Sequence, residues 1–270
     1  MHSETSAELT TPSKHISADA ACRNCGSQMV GKFCAQCGQK QHASRIRFAS
    51  LWADARENLI DWEHGVFRTL WLLLSDPKQL MEHFVADKRK TYTHPFALLI
   101  ATATLSFIVT ATMGATFWQL FKTNLQNGNT LKFSPTQLDR YVDVFIGLNS
   151  VIPYWLLLFT LPTAFMLRLA FWRHRFNTAE LWLITLYAMA LAVGVDALAS
   201  LIFFSVKAPY ILMINSFNTS VLLSFLYVVG RTLGGRWSVF LRLLPIILLT
   251  AILMFAFVGY VARVIALRGP

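Results

Sequence analysis

The feature that most constrains this chain is a set of long apolar stretches with almost no charge. Five are long enough to cross a bilayer, which takes about 20 apolar residues: 95–121, 144–170, 179–206, 210–230 and 239–262. The chain is 55% hydrophobic and 14% charged, with a mean hydropathy of +0.47. A water-soluble core cannot hide that much apolar surface, since ordinary soluble domains carry about 25% charged residues. An all-α integral membrane protein of about five transmembrane helices is predicted. Disordered, collagen-like, coiled-coil and disulfide-rich secreted classes are excluded as accounts of the whole chain. Pro153, Pro162 and Pro245 fall inside the stretches, where neighbouring helices can absorb a kink. Residues 144–170 hold two of these prolines without a polar turn between them, and read as one bent helix.

Charge and cysteine divide the chain. Residues 1–94 carry 12 Lys and Arg against 10 Asp and Glu, whereas 95–270 carry 12 basic residues and only Asp139, Asp143, Glu180 and Asp196. The net +10 therefore sits mostly beside apolar stretches, as flanking charge rather than a nucleic-acid footprint, and no nucleic-acid partner is expected. No apolar run opens the chain, so a cleaved signal peptide is not expected, and residues 1–20 read as a polar disordered tail.

Cys22-Arg23-Asn24-Cys25-Gly26 is answered by Cys34-Ala35-Gln36-Cys37-Gly38. Each CxxC puts two thiolates on one tight turn, and the following glycine lets the backbone curl around the sulfurs. Two such turns supply the four soft ligands of a structural zinc ribbon, placed at 21–40. A hairpin this short has no hydrophobic core, so metal would supply most of its folding energy. A pair of disulfides is the competing reading. Arg23, Lys32, Lys40, Arg45 and Arg47 make the surroundings basic, suited to acidic lipid or an acidic cytosolic protein partner. Reduced, metal-loaded cysteines imply the cytosol.

Residues 41–93 read as a linker with amphipathic helices. Leu51, Trp52, Ala55, Leu59 and Trp62 recur at helical spacing; Phe67, Leu70, Trp71 and Leu74 follow; Asp76-Pro77 then ends one helix and starts another bearing Leu80, Met81, Phe84 and Val85. Aromatic-rich helices ending in Lys88-Arg89-Lys90 before a span suit the headgroup layer of an anionic bilayer. The alternative is a small soluble helical domain using the same residues as its core. Gly65, Thr69 and Pro77, followed by Lys88-Arg89-x-x-Tyr92-x-x-Pro95 at the mouth of a hydrophobic region, resemble a bacterial membrane family known as domain of unknown function 3667. Asp87 and Lys78 stand where that family more often has glycine. The resemblance implies a zinc ribbon and a bacterial inner-membrane location, and brings no activity with it.

Lys and Arg give an orientation for the 94–270 membrane domain. With the N-terminus inside, nine flank the cytoplasmic ends (Lys88, Arg89, Lys90, Arg168, Arg173, Arg175, Arg231, Arg236, Arg242) and six the external side. The expectation is N-terminus cytoplasmic and C-terminus external.

Asp196 is the one acidic residue deep in a stretch, roughly 15 Å from the outer end at helical rise. Asn218, Thr110 and Asn149 reach similar or somewhat shallower depth on other helices, giving a possible intramembrane polar layer that binds a proton or cation, or only fixes packing. Ala190 and Gly194, four apart, permit close helix approach and favour packing. His64, His83 and His94 lack the spacing of a ligand pair, and no nucleophile elbow, phosphate loop or dinucleotide motif is present. Three functions remain. The first is a non-enzymatic adaptor or assembly factor with a cytosolic zinc ribbon. The second is a small-solute or proton-linked transporter using Asp196. The third is a lipid-modifying enzyme at the cytoplasmic interface using those histidines.

Overall fold

A computed structural model describes residues 21–29, 31, 33–39, 46–52, 65–86, 88–128, 134–150, 152–206 and 210–268. Its helices are α1 (Val66–Ser75), α2 (Pro77–Val85), α3 (Pro95–Gly128), α4 (Pro135–Ser150), α5 (Ile152–Ala170), α6 (Thr178–Ser205), α7 (Tyr210–Thr232) and α8 (Trp237–Arg268). Within the expected span 144–170, α4 ends at Ser150 and α5 begins at Ile152, and residue 151 lies outside the described residues. Pro153 lies in the first turn of α5, where a missing N–H costs nothing. Between the first two apolar stretches, residues 122–128 continue α3 and 135–143 belong to α4. Ala55, Leu59 and Trp62 lie outside the described residues.

Helix α6 is the centre, packed against α3, α5 and α7. Every residue from Ala179 to Val193 is buried. A helix apolar on all faces belongs inside a bundle or a bilayer, because no face can meet water cheaply. Its start is a capping box, in which the Asn177 side chain accepts from the Glu180 N–H and Glu180 accepts from the Asn177 N–H, both at 2.8 Å. Gly194 lies against Thr102 of α3, where an added Cβ would come within 3.3 Å of the threonine methyl. Among the described residues, Pro95–Thr112 and Thr178–Ser205 are long and apolar enough to cross a membrane. Leu105, Ile108, Leu158, Phe165 and Leu198 are large, apolar and exposed on the outer faces of their helices.

One end of the bundle is capped by the segments before α3. Ile46, Leu51, Leu73, Leu80, Met81 and Phe84 are buried in the same core cluster as α6. Phe48 packs on Trp182 and Trp52 edge-on to Phe96, with centroids 5.4 and 5.8 Å apart. Helix α1 uses two faces: Thr69 and Leu73 point inward, while Phe67 and Trp71 are 89% and 73% exposed. Asp76 caps α2 by accepting from the Gln79 N–H, with Pro77 at its start. Tyr227 of α7 donates to the Leu74 carbonyl at the free end of α1.

Candidate metal centre

The two cysteine turns are built alike. Cys22 N–H donates to Ser27 O and Gly26 N–H to Cys22 O; Cys34 N–H donates to Gln39 O and Gly38 N–H to Cys34 O, all at 2.7–2.8 Å. Gly26 and Gly38 adopt φ of +80° and +68°, the left-handed region that glycine enters without strain. These turns aim four sulfurs at one point: all lie within 4.8 Å of one another, with Cys22–Cys37 at 3.7 Å and Cys25–Cys34 at 3.5 Å. Four thiolates about 2.3 Å from a tetrahedral metal would sit about 3.8 Å apart, so the donors fit a metal ion. The cysteines are free, and the disulfide alternative does not hold in this structure. Among the described residues Cys22, Met29 and Cys34 form a buried cluster here with Cys37 packed against it, too small to stabilise the fold by itself.

Ser27 belongs to this site although its spacing carries no metal signal. Its hydroxyl lies 3.0 Å from Cys25 Sγ and 3.1 Å from Cys34 Sγ. That contact, helped by backbone N–H groups, pulls the Cys34 thiol down to about 6 and also lowers Cys25. Burial pushes Cys37 up to about 12. The surroundings thus favour thiolate at one corner and leave the opposite corner dependent on a cation.

The metal centre is docked on the loop that leads into α3. Lys90 N–H donates to the Gln39 side-chain carbonyl at 3.1 Å, and the Thr91 hydroxyl donates to Asn24 Oδ1 at 2.6 Å. Asn24 lies within the first CxxC and Gln39 follows the second, so each knuckle makes one contact. The next residues of that loop lock the helices. Thr93 N–H donates to the Thr69 hydroxyl at 2.8 Å, and that hydroxyl donates to Gly65 O at 2.7 Å. Thr93 O accepts from the buried Tyr187 hydroxyl of α6 at 2.8 Å. Gly65 is required where it stands: a Cβ there would meet Thr93 N at 2.8 Å, Tyr92 C at 3.1 Å and Thr91 O at 3.2 Å.

The remaining sequence candidates fall apart spatially. His83 Nδ1 lies 2.6 Å from the Tyr92 hydroxyl, with Arg68 over the Tyr92 ring, while His94 is buried and stacked on Phe96. His64 lies outside the described residues. Lys88 and Lys90 are exposed, whereas Arg89 is half-buried with its guanidinium over Phe84. Asp196 accepts from the Ser216 hydroxyl of α7 at 2.7 Å, a partner that sequence reasoning missed. Asn218, two residues further and so on the other side of α7, lines a cavity instead. Thr110 donates to the Ser106 carbonyl of its own helix. Asn149 lies in the last turn of α4, with its side chain outside the described residues. The contacts of Asn24, Gln39, Thr91 and Ser216 left no sequence signal, since each is a polar residue whose partner is distant along the chain; the Asn177-x-x-Glu180 cap was readable.

Neither a curated protein nor a solved structure matches the chain. Residues 63–107, which hold Gly65, Thr69, Pro77 and the loop that receives the metal centre, match the family described as Protein of unknown function (DUF3667), the family that the 88–95 signature resembles.

Proposed function

We propose that this is a multi-pass protein of the bacterial cytoplasmic membrane that works as a non-enzymatic adaptor or assembly factor through a cytosolic structural zinc ribbon. The observation that carries the reading is the pair of hydrogen bonds from the two knuckles to Lys90 and Thr91. A four-thiolate site has no open coordination position for chemistry. Docked this way, it holds a rigid surface against the loop that anchors α1, α3 and α6, so a partner bound to the ribbon bears on the bundle directly. Phe33, between the two knuckles in sequence, is 52% exposed.

Five spans, formed by α3, α5, α6, α7 and α8, follow from the apolar stretches and the exposed apolar faces. The basic flanks favour a cytoplasmic N-terminus. Trp71, Trp172 and Trp237 are exposed at segments assigned to that side, as expected of an interfacial aromatic belt, with Lys88 and Lys90 set for anionic headgroups. For the transporter reading, Ser216 already satisfies one oxygen of Asp196, which favours a packing role. For the lipid-modifying reading, His83 is engaged by Tyr92.

The test is complementation of a strain deleted for the gene. Replacing Cys25 and Cys37 by Ser is expected to abolish function with membrane abundance retained, while Asp196→Asn complements. The reverse pattern would overturn the adaptor reading in favour of transport. Elemental analysis of purified protein is expected to give about one zinc per chain, and reporter fusions after Ala43 and Pro270 to report opposite sides.

A further inference from the structure

Between α5, α6, α7 and α8 lies a cavity of about 660 Å³, a size that takes a small organic ligand. Its walls include Phe159, Phe225 and Ile252, and among the described residues none of its lining side chains is charged. Four polar groups interrupt the apolar lining: Thr163, Asn218, Thr219 and Thr250. Thr163 and Thr250 donate to carbonyls of their own helices, and their hydroxyls lie 3.5 Å apart across α5 and α8. Asn218 differs. It is exposed, and its carboxamide makes no side-chain hydrogen bond among the described residues. At helical rise it stands about 21 Å from the Thr232 end of α7, and Thr250 stands about 20 Å from the Trp237 end of α8. The two therefore share one level, deep inside the segments read as spans. A carboxamide offers two donors and an acceptor, and at that depth only a partner within the bilayer can use them.

We propose that this cavity binds an uncharged single-chain lipid, with its hydroxyl group at Asn218 and its hydrocarbon chain along the Phe159–Phe225 wall. The inference rests on the membrane reading above and goes beyond the adaptor role. A phospholipid head does not fit at Asn218, because its phosphate would then lie at mid-depth against described walls that hold no cation. A polar solute does not fit either, since most of the lining offers it no hydrogen bond.

The experiment uses full-length protein in membranes washed with alkaline carbonate and a hexadecanol carrying a photoreactive diazirine. Labelling is expected to concentrate on residues 218–225 and 247–252, to fall with excess unlabelled hexadecanol, and to persist with excess phosphatidylglycerol. Asn218→Leu is expected to lower that labelling about three- to tenfold, the value of one hydrogen bond, and Ala251→Phe to lower it by filling space. Label at the outer-face residues Leu105 and Ile108 should not change, and the competition in unaltered protein needs no variant to fold. Retained protein labelled no more in the cavity than at Leu105 and Ile108, or indifferent to competitor, overturns the proposal while leaving the membrane reading intact. Protein released by the wash overturns both.

Discussion

The two halves of α6 are built on different terms. From Ala179 to Val193 the helix is buried all round, whereas Val195, Leu198, Leu201, Ile202 and Phe204 beyond it are exposed. The first half is gripped by polar bonds between elements: Asn177 Nδ2 donates to Ile46 O at 3.0 Å, Trp182 to the Thr160 hydroxyl at 2.9 Å, and Tyr187 to Thr93 O. In the second half the polar link between helices is the bond from the Ser216 hydroxyl of α7 to Asp196. Each directed bond names a partner and a register; apolar burial names neither. The end that carries the metal centre is thus specified residue by residue, while the opposite end is specified by hydrophobicity.

The largest test of this contrast is metal removal. The knuckles lack a core, and structural zinc in small domains contributes about 10–16 kcal/mol in apparent binding energy. A strong chelator should therefore unfold residues 21–39, read as new proteolytic cleavage there, while the helical circular dichroism of the bundle stays within a few percent. If the bundle melts together with the ribbon, the two are one cooperative unit and the contrast is broken. Next in size is Gly65→Ala. Its Cβ would press on the backbone of 91–93, which cannot swing away as a side chain would. Overpacking of this kind costs about 1–3 kcal/mol. Thermal unfolding in detergent should show a clear loss, against almost none for Gly147→Ala, where nothing lies within 4 Å.

What the sequence disclosed follows the same division. The cysteine turns were legible because a metal needs fixed donors at fixed spacing. The helices were legible because hydrophobic runs, Asp76-Pro77 and Pro95 mark their bodies and starts. The candidate polar layer depends on facing as well as depth. Depth along a helix can be counted from sequence, but facing cannot be known until neighbours are placed. Asp196 thus found Ser216, not Asn218. The docking of Asn24 and Gln39 on Thr91 and Lys90 lay beyond reach for the same reason, since nothing in a lone amide says which loop it will meet.

Tyr187→Phe sharpens the comparison from within α6. The change keeps the ring, which packs edge-on to Phe84, and removes the donor to Thr93 O. A buried carbonyl left without its donor costs about 1–3 kcal/mol. The expected result is a lower unfolding temperature together with faster amide exchange in residues 90–94. Ser216→Ala, at the other bond, should lower stability by about 0.6 kcal/mol, the average for side-chain hydrogen bonds between membrane helices. Equal losses at the two sites would remove the distinction between the halves.

The smallest effect is expected where the structure shows its most conspicuous charge contact. Arg175 Nη2 lies 2.8 Å from Glu82 Oε1, joining α2 to the turn before α6, but the two side chains are 60% and 45% exposed. Water and salt screen such a pair, and holding two long side chains in one geometry costs entropy, so exposed pairs are worth about 0.2–1 kcal/mol. Two residues along, Asn177 makes a shorter-range but less conspicuous set of bonds: it caps α6 and reaches the Ile46 carbonyl. Losing an N-cap alone costs about 0.5–2 kcal/mol, and Asn177→Ala also strands the Ile46 carbonyl. Glu82→Gln should therefore leave the unfolding temperature within error at 0.15 M salt, whereas Asn177→Ala lowers it measurably at any ionic strength. A loss for Glu82→Gln as large as that for Asn177→Ala, and vanishing in 1 M salt, would mean that long-range charge holds α2 in place. In that case the cap of the bundle would be electrostatic, not a matter of directed hydrogen bonds.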